Sequence, residues 1–361
     1  MSIDAVSQKE VQGAEAPRRR RSRRIDIAIA LVLIGIAAAG ILWGWSSKNR
    51  DRHGTQAETY FTAKEYDKAI AEYTEAIRSD PKCAHAYASR ASAYFNKGEY
   101  AQAIEDCSKA LAIDPGLALA YSNRGGAYLN CGDPERCITD CTRAIELDAN
   151  VPQAYANRGG AYLKKGDFER AIDECSKALA LDAKLEIAYF TRAAAFQSKG
   201  NLNRSIRDWD QVLRLNPSLA SAYANRAAVH FKKGAVRKAI ADYDEAIRRD
   251  PNVADVYVNR GVLRYRLHDP DGAKEDFSRA IELEPKLVAA YNCRAAVALQ
   301  MGDNQQVIAD STRAIELDPR LAVAYWSRAV ARSRIGALKQ ARADQNKALQ
   351  LDPSLGKPFD K

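Results

Sequence analysis

Histidine is scarce in this chain. Only His53, His85, His230 and His268 occur in 361 residues, and no two stand close enough in sequence to form a local metal pair. The seven cysteines include no CxxC motif, and there is no Gly-rich phosphate loop, no GxSxG and no HExxH. These absences remove the usual sequence signs of a metal, a cofactor or a catalytic nucleophile, so none of the three is expected and neither is enzyme activity. Aromatics are few, at 8%, and mostly Tyr, whereas Ala, Arg, Asp and Leu abound, which favours helices. A broad basic field is missing too. The net charge is +9, but residues 1–52 hold ten Lys/Arg against five Asp/Glu, and residues 53–361 hold 45 against 41. That near balance argues against nucleic acid as a partner of the main body.

Long hydrophobic runs are absent except for one. RRRRSRR (Arg18 to Arg24) is followed by an uncharged apolar run from Ile27 to Trp45. At helical rise this run spans about 28 Å, close to the hydrocarbon thickness of a bilayer. Trp43 and Trp45 stand at its far end, where indoles favour the water–lipid boundary. The expected layout is a basic disordered arm over 1–24, a transmembrane helix over 25–45 and a short linker over 46–49. The alternative is a cleaved secretory signal, with Ala37 to Ala39 as processing site, which would make a secreted protein. Seven Lys/Arg precede the run, and Lys48, Arg50 and Arg52 follow it. Basic flanks stay in the cytoplasm, so the C-terminal part is expected on the periplasmic side of a bacterial inner membrane.

Seven cysteines pull the other way, toward a cytoplasmic location, because exported proteins usually pair or avoid them. Cys107, Cys141 and Cys175 are spaced by 34. Neighbouring hairpins about 10 Å apart hold such residues too far from one another for a disulfide. They read as small buried hydrophobes. Cys137 and Cys141 fall on one helix face, without a His partner.

The period of 34 runs through almost everything else. Tyrosine recurs from Tyr87 to Tyr325 without an insertion, and arginine follows three places later each time, from Arg90 to Arg328. Proline recurs from Pro81 to Pro353, with Ala149 and Ala183 filling two gaps. With that proline as place 32, nine units run over residues 50–355, ahead of a tail at 356–361. Places 4, 8 and 11 are apolar or small, as in Tyr155, Gly159 and Tyr162, and so are places 20, 24 and 27, as in Ala171, Cys175 and Ala178. Both sets have the spacing of one helical face. A break near place 15 is usually glycine, from Gly98 to Gly336. Asp133 and Asp269 read as N-caps, with Pro134 and Pro270 at the first helical position. The turn is so short that the helices must run antiparallel, setting place 4 against 27, 8 against 24 and 11 against 20.

This pattern resembles the tetratricopeptide repeat (TPR) family over residues 50–355. The resemblance implies an all-α, right-handed solenoid of about nine helix hairpins, whose first helices line a concave groove. Units seven to nine depart from it, with Arg264, Ala298 and Arg332 in place of the aromatic at place 11. The family often closes with a solvating helix. Here Arg332, Arg334, Gln345 and Asn346 are expected to make the ninth unit its own polar cap.

The arginine at place 7 occurs in eight units, level with an acidic residue at place 23 in every unit. This alignment predicts a ladder of structural ion pairs. They join Arg90 with Asp106, Arg124 with Asp140, Arg158 with Glu174, Arg226 with Asp242 and Arg260 with Asp276, and so on to the ninth unit. Only unit one has Gln56 at place 7, which leaves Glu72 with no cation expected. Eight equivalent sites are an architectural device rather than a reaction centre. A planar guanidinium can grip a carboxylate with two bonds and set the angle between helices.

The face turned away from the hairpin seam carries places 2, 6, 9 and 13. Ser89, Asn123, Asn157, Asn225 and Asn259 hold place 6, above small residues at place 9; Asn130, Lys164, Lys232 and Arg266 are at place 13. Asparagine can donate to and accept from an extended backbone, so these nine residues are the candidate peptide groove. Some TPR relatives use an asparagine ladder at this place, which agrees. The basic members favour a ligand with carboxylates. The expected function is a membrane-anchored scaffold for protein–protein interaction, with no metal; a self-assembling oligomer is the alternative.

Overall fold

Alanine supplies most of the buried side chains, and a core of such small residues lets helix axes approach closely. The computed structural model describes residues 52–355. The basic arm, the run Ile27–Trp45 and the tail at 356–361 lie outside the described residues. Among the described residues no helix is long and apolar enough to cross a membrane.

The chain divides into two compact units that meet in sequence at Asn123 and Arg124. The first contains α1 (52–62), α2 (Tyr66–Ser79), α3 (Ala84–Lys97), α4 (Tyr100–Ile113) and the start of α5 (Ala118–Asn130). The second continues through α6 (Pro134–Leu147), α7 (Pro152–Lys164), α8 (Phe168–Leu181), α9 (Glu186–Ser198) and α10 (Leu202–Leu215). It goes on with α11 (Ala220–Lys232), α12 (Val236–Arg249), α13 (Ala254–Arg266), α14 (Pro270–Leu283) and α15 (Val288–Met301). It closes with α16 (Asn304–Leu317), α17 (Ala322–Arg334), α18 (Leu338–Leu351) and a 3₁₀ turn, Pro353–Leu355. Within each compact unit the helices pair as hairpins of one repeat, an all-α solenoid arrangement.

The turn inside each hairpin needs a left-handed residue at place 15. Gly98 has φ 81°, its N–H donates to the carbonyl of Phe95, and the next N–H, of Glu99, reaches back to Tyr94 at 2.9 Å. This closes helix α3 with a Schellman motif. Lys64 and His268 hold the same place without glycine, both at φ 61°. Second helices then start on a cap: Asp133 accepts from the Arg136 N–H at 2.9 Å and Asp269 from that of Gly272 at 3.0 Å. Asp167 and Asp303 cap in the same way. At the far end an Asp such as Asp148 accepts from the N–H two residues on, turning the chain into the next repeat.

Places 8 and 24 meet inside the hairpin. A Cβ on Gly159 would stand 2.7 Å from Cys175 Sγ, and one on Gly261 would stand 2.8 Å from Phe277. Cys107, Cys137, Cys141 and Cys175 are all fully buried, and the seven cysteines are free. Cys137 and Cys141 bring their sulfurs to 3.8 Å. Burial pushes the Cys175 thiol up to about 12, and the Cys137 contact followed by burial raises that of Cys141 well above its ordinary value. Both thiols therefore stay protonated and unreactive at pH 8. Labelling the native full chain with a thiol-specific disulfide reagent should modify exposed Cys131 first, with Cys107, Cys137, Cys141 and Cys175 reacting only after denaturation. Prompt reaction of those four would contradict this packing.

The ninth repeat differs from the sequence expectation of a polar cap. Gln345 takes place 24 and is buried, at 5% exposure, and Arg332 bonds to Asp344. Both turn inward because they occupy core-facing places of the hairpin. Asn346 and Arg334 remain exposed.

Candidate functional site

Each first helix presents place 7 to the second helix of its own repeat, and eight arginines meet eight acids there. Seven of the eight grip both oxygens, as Arg90 does Asp106 at 2.7 and 2.8 Å and Arg226 does Asp242 at 2.9 and 2.6 Å. The same fork joins Arg124 to Asp140, Arg192 to Asp208, Arg260 to Asp276, Arg294 to Asp310 and Arg328 to Asp344. Arg158 instead sets two nitrogens on one oxygen of Glu174, whose other oxygen takes Lys177. The longer glutamate side chain accounts for the change. Hydrogen bonds to these acids raise the basicity of Arg90, Arg192, Arg226 and Arg294. At Asp276 burial prevails and pushes the carboxyl upward, against the pull of Arg260.

Sequence reading missed a third contact. The remaining terminal nitrogen of the guanidinium reaches back to place 25 of the preceding repeat. Arg90 donates to Thr74, Arg158 to Thr142, Arg192 to Ser176, Arg226 to Asp210 and Arg260 to Asp244, all at 2.6–3.0 Å. Arg294 and Arg328 repeat it with Ser278 and Thr312. One side chain thus closes its own hairpin and fastens it to the one before. The signal was in the sequence, since place 25 carries a hydroxyl, a carboxylate or an amide in all nine repeats.

Two further cations join the ladder from place 11, one turn after the arginine. Arg264 approaches Asp276 at 3.2 Å and Arg332 approaches Asp344 at 2.6 Å. In the first repeat Glu72 is not left alone, contrary to the sequence expectation. His53, three residues before Gln56 and so on the same helical face, meets it at 2.6 Å.

The candidate groove residues divide into two groups. Asn225 is half-buried and Asn259 exposed, and neither side chain makes a hydrogen bond among the described residues. Ser89 and Asn157 are half-buried; Asn123 donates to Ser92 of the preceding repeat at 2.8 Å. Place 13 is engaged more than its sequence suggests. Asn130 folds back onto the Gly126 carbonyl of its own helix. Lys164 donates to the Leu129 carbonyl at 2.6 Å, and Arg334 to that of Leu299 at 2.9 Å. Arg266 lies over the Phe231 ring at 4.9 Å. These three cations stitch neighbouring repeats, while Lys232, exposed like them, makes no hydrogen bond or ion pair among the described residues. Among the described residues no cluster of three or more His, Cys, Asp or Glu forms a metal site.

Hairpins of constant length, seven of them locked by a buried Arg–carboxylate fork, define an α-solenoid repeat protein. Family profiles described as "Tetratricopeptide repeat" match residues 55–118, 118–151, 152–185, 220–253 and 254–287, and one described as "TPR repeat" matches 195–234. The chain belongs to the tetratricopeptide repeat family. Among solved structures it is similar to a tetratricopeptide repeat protein from Parabacteroides merdae ATCC 43184, with 18% identity and a TM-score of 0.50, over 69% of this chain and 99% of that one. It is also similar to pilF of Pseudomonas aeruginosa, with 20% identity and a TM-score of 0.51, over 57% and 94%. The APC/C hetero-tetramer Cut9-Hcn1 matches with 14% identity and a TM-score of 0.53, over 84% and 74%. At these identities the likeness is one of fold. A search of curated proteins finds no match.

Proposed function

We propose that this chain is a membrane-anchored scaffold that holds another protein, as an extended segment, along places 6, 9 and 13 of its first helices. The observation that carries this reading is how neighbouring side chains are used. The arginine at place 7 turns inward onto its carboxylate, while Asn225 and Asn259 at place 6 keep their amides at the surface. Each amide can donate to and accept from a peptide backbone. Small residues at place 9, such as Gly160, Ala194 and Ala228, keep the floor between them low. A carboxylate on the ligand finds Lys232, an exposed cation of this row whose ammonium is engaged by no other side chain among the described residues. The run Ile27–Trp45 is the proposed anchor, with the repeats on the periplasmic side of a bacterial inner membrane and the charge asymmetry around the run as support. No catalytic role is proposed.

Replacing Asn157, Asn225 and Asn259 together with Ala should reduce the polypeptides captured by the full chain at least about tenfold, which corresponds to about 1.4 kcal/mol. Quantitative mass spectrometry of the retained material checks this, and unchanged capture would place binding elsewhere. Self-assembly is a second reading, supported by Ile335 and Leu338, 53% and 57% exposed on the last hairpin. Light scattering of the full chain separates the two, since a monomer at all concentrations dismisses assembly.

A further inference from the structure

The first hairpin departs from the rest at place 9. Every later repeat has a small or apolar residue there, from Ser92 to Val330, but the first has Glu58. That carboxylate stands on the wall of a cavity of about 450 Å³ between α1, α2 and α3, within the first compact unit. Ligand sites commonly occupy about 300–1,000 Å³, so the space suits a single side chain and its surroundings. No lysine or arginine lines it, His85 being the one basic side chain on its wall, and Glu58 has no ion-pair partner among the described residues. The carboxylate is nevertheless held in place. Tyr73, 4% exposed, donates its hydroxyl to Glu58 Oε2 at 2.9 Å. Ser89 lies beside the same phenol and also lines the cavity. A Cβ on Gly54 would meet nothing within 4 Å, so this wall is open. Ala76 and Ala86 add apolar surface.

These features together describe a subsite with one fixed negative charge, further oxygen acceptors and short apolar walls. A basic side chain matches each part: its cation meets Glu58 and the Ser89 hydroxyl, and its methylene stem lies along Ala76 and Ala86. We propose that this cavity takes a lysine or arginine side chain of the bound polypeptide. The inference rests on the peptide-binding reading above and adds a sequence requirement to it. The first repeat selects a cation, at a place where the later repeats offer neutral side chains.

The test uses the full chain and a bead library of seven-residue peptides whose central residue is Lys, Arg, Gln or Glu. The unaltered protein should be retained about fivefold better by Lys- and Arg-centred peptides than by Gln-centred ones. Glu58→Gln should bring all three to one level, with thermal unfolding unchanged because the amide oxygen of an exposed Gln still accepts from the Tyr73 hydroxyl. Tyr73→Phe, which frees the carboxylate but keeps the ring, should lower the preference in part. Glu135→Gln, at an exposed acid outside the cavity, should leave it intact. Retention without a preference for Lys and Arg overturns the subsite and leaves the peptide groove standing. A preference that survives Glu58→Gln, or that Glu135→Gln also abolishes, overturns the subsite as well. If no peptide is retained by the unaltered protein, both readings fall.

Discussion

Arg294→Ala should destabilise the protein by about 3–5 kcal/mol, because it strands a buried carboxylate without a cation. Asp310 is 2% exposed, and Arg294 meets it with two bonds at 2.9 and 2.7 Å. Place 11 of that repeat is Ala298, so no second cation takes over. The bond to Ser278 in the preceding hairpin is lost as well. Arg328→Ala should be milder, by about half, since Asp344 keeps Arg332 at 2.6 Å. Replacing Arg294 and Asp310 together by Leu should recover most of the loss, because apolar residues of similar volume leave no unpaired charge. Denaturant unfolding of the three variants checks the order. Equal losses for the single and the double variant would mean that the fork acts as packing volume alone.

Trp209→Ala should lower stability by about 3–5 kcal/mol and also divide the unfolding curve in two. Trp209 is 1% exposed and packs edge-to-face on Phe190 at 4.8 Å. Its cluster joins Val212 and Leu213 of one hairpin to Ala222 and Val229 of the next. In a linear array each hairpin is supported by its neighbours, so emptying this junction uncouples the repeats on either side. Trp209→Phe should do far less, because the indole N–H has no hydrogen-bond partner among the described residues to lose. A single cooperative transition for Trp209→Ala, shifted by less than about 1 kcal/mol, would contradict this picture of the junction.

The hairpin was legible because its signals are local and repeated. Tyr155, Gly159 and Tyr162 lie on one face of a helix, and the mirror rule about the turn sets Gly159 against Cys175 and Arg158 against Glu174. Contacts between hairpins were not legible by that rule, which stops at the ends of one repeat. Thr142 lies sixteen residues before Arg158, as Glu174 lies sixteen after it, and both bond to the same guanidinium. Only a fold that stacks identical hairpins makes the two separations equivalent. Lys164 and Arg266 read as free cations for the same reason: their partners, the Leu129 carbonyl and the Phe231 ring, belong to the previous repeat. His53 was missed differently. A single substitution, Gln56 for arginine, is compensated one helical turn away, where a search by fixed place does not look.

Polypeptide binding along the first helices is tested most directly by crosslinking in cells. A photo-reactive residue would be placed at Asn259 on α13, and in a second strain at Arg248, exposed on second helix α12. Light-dependent adducts to another protein are expected from position 259 and not from 248. Adducts from 248 alone, or none from 259 beside a functional chain, would contradict it.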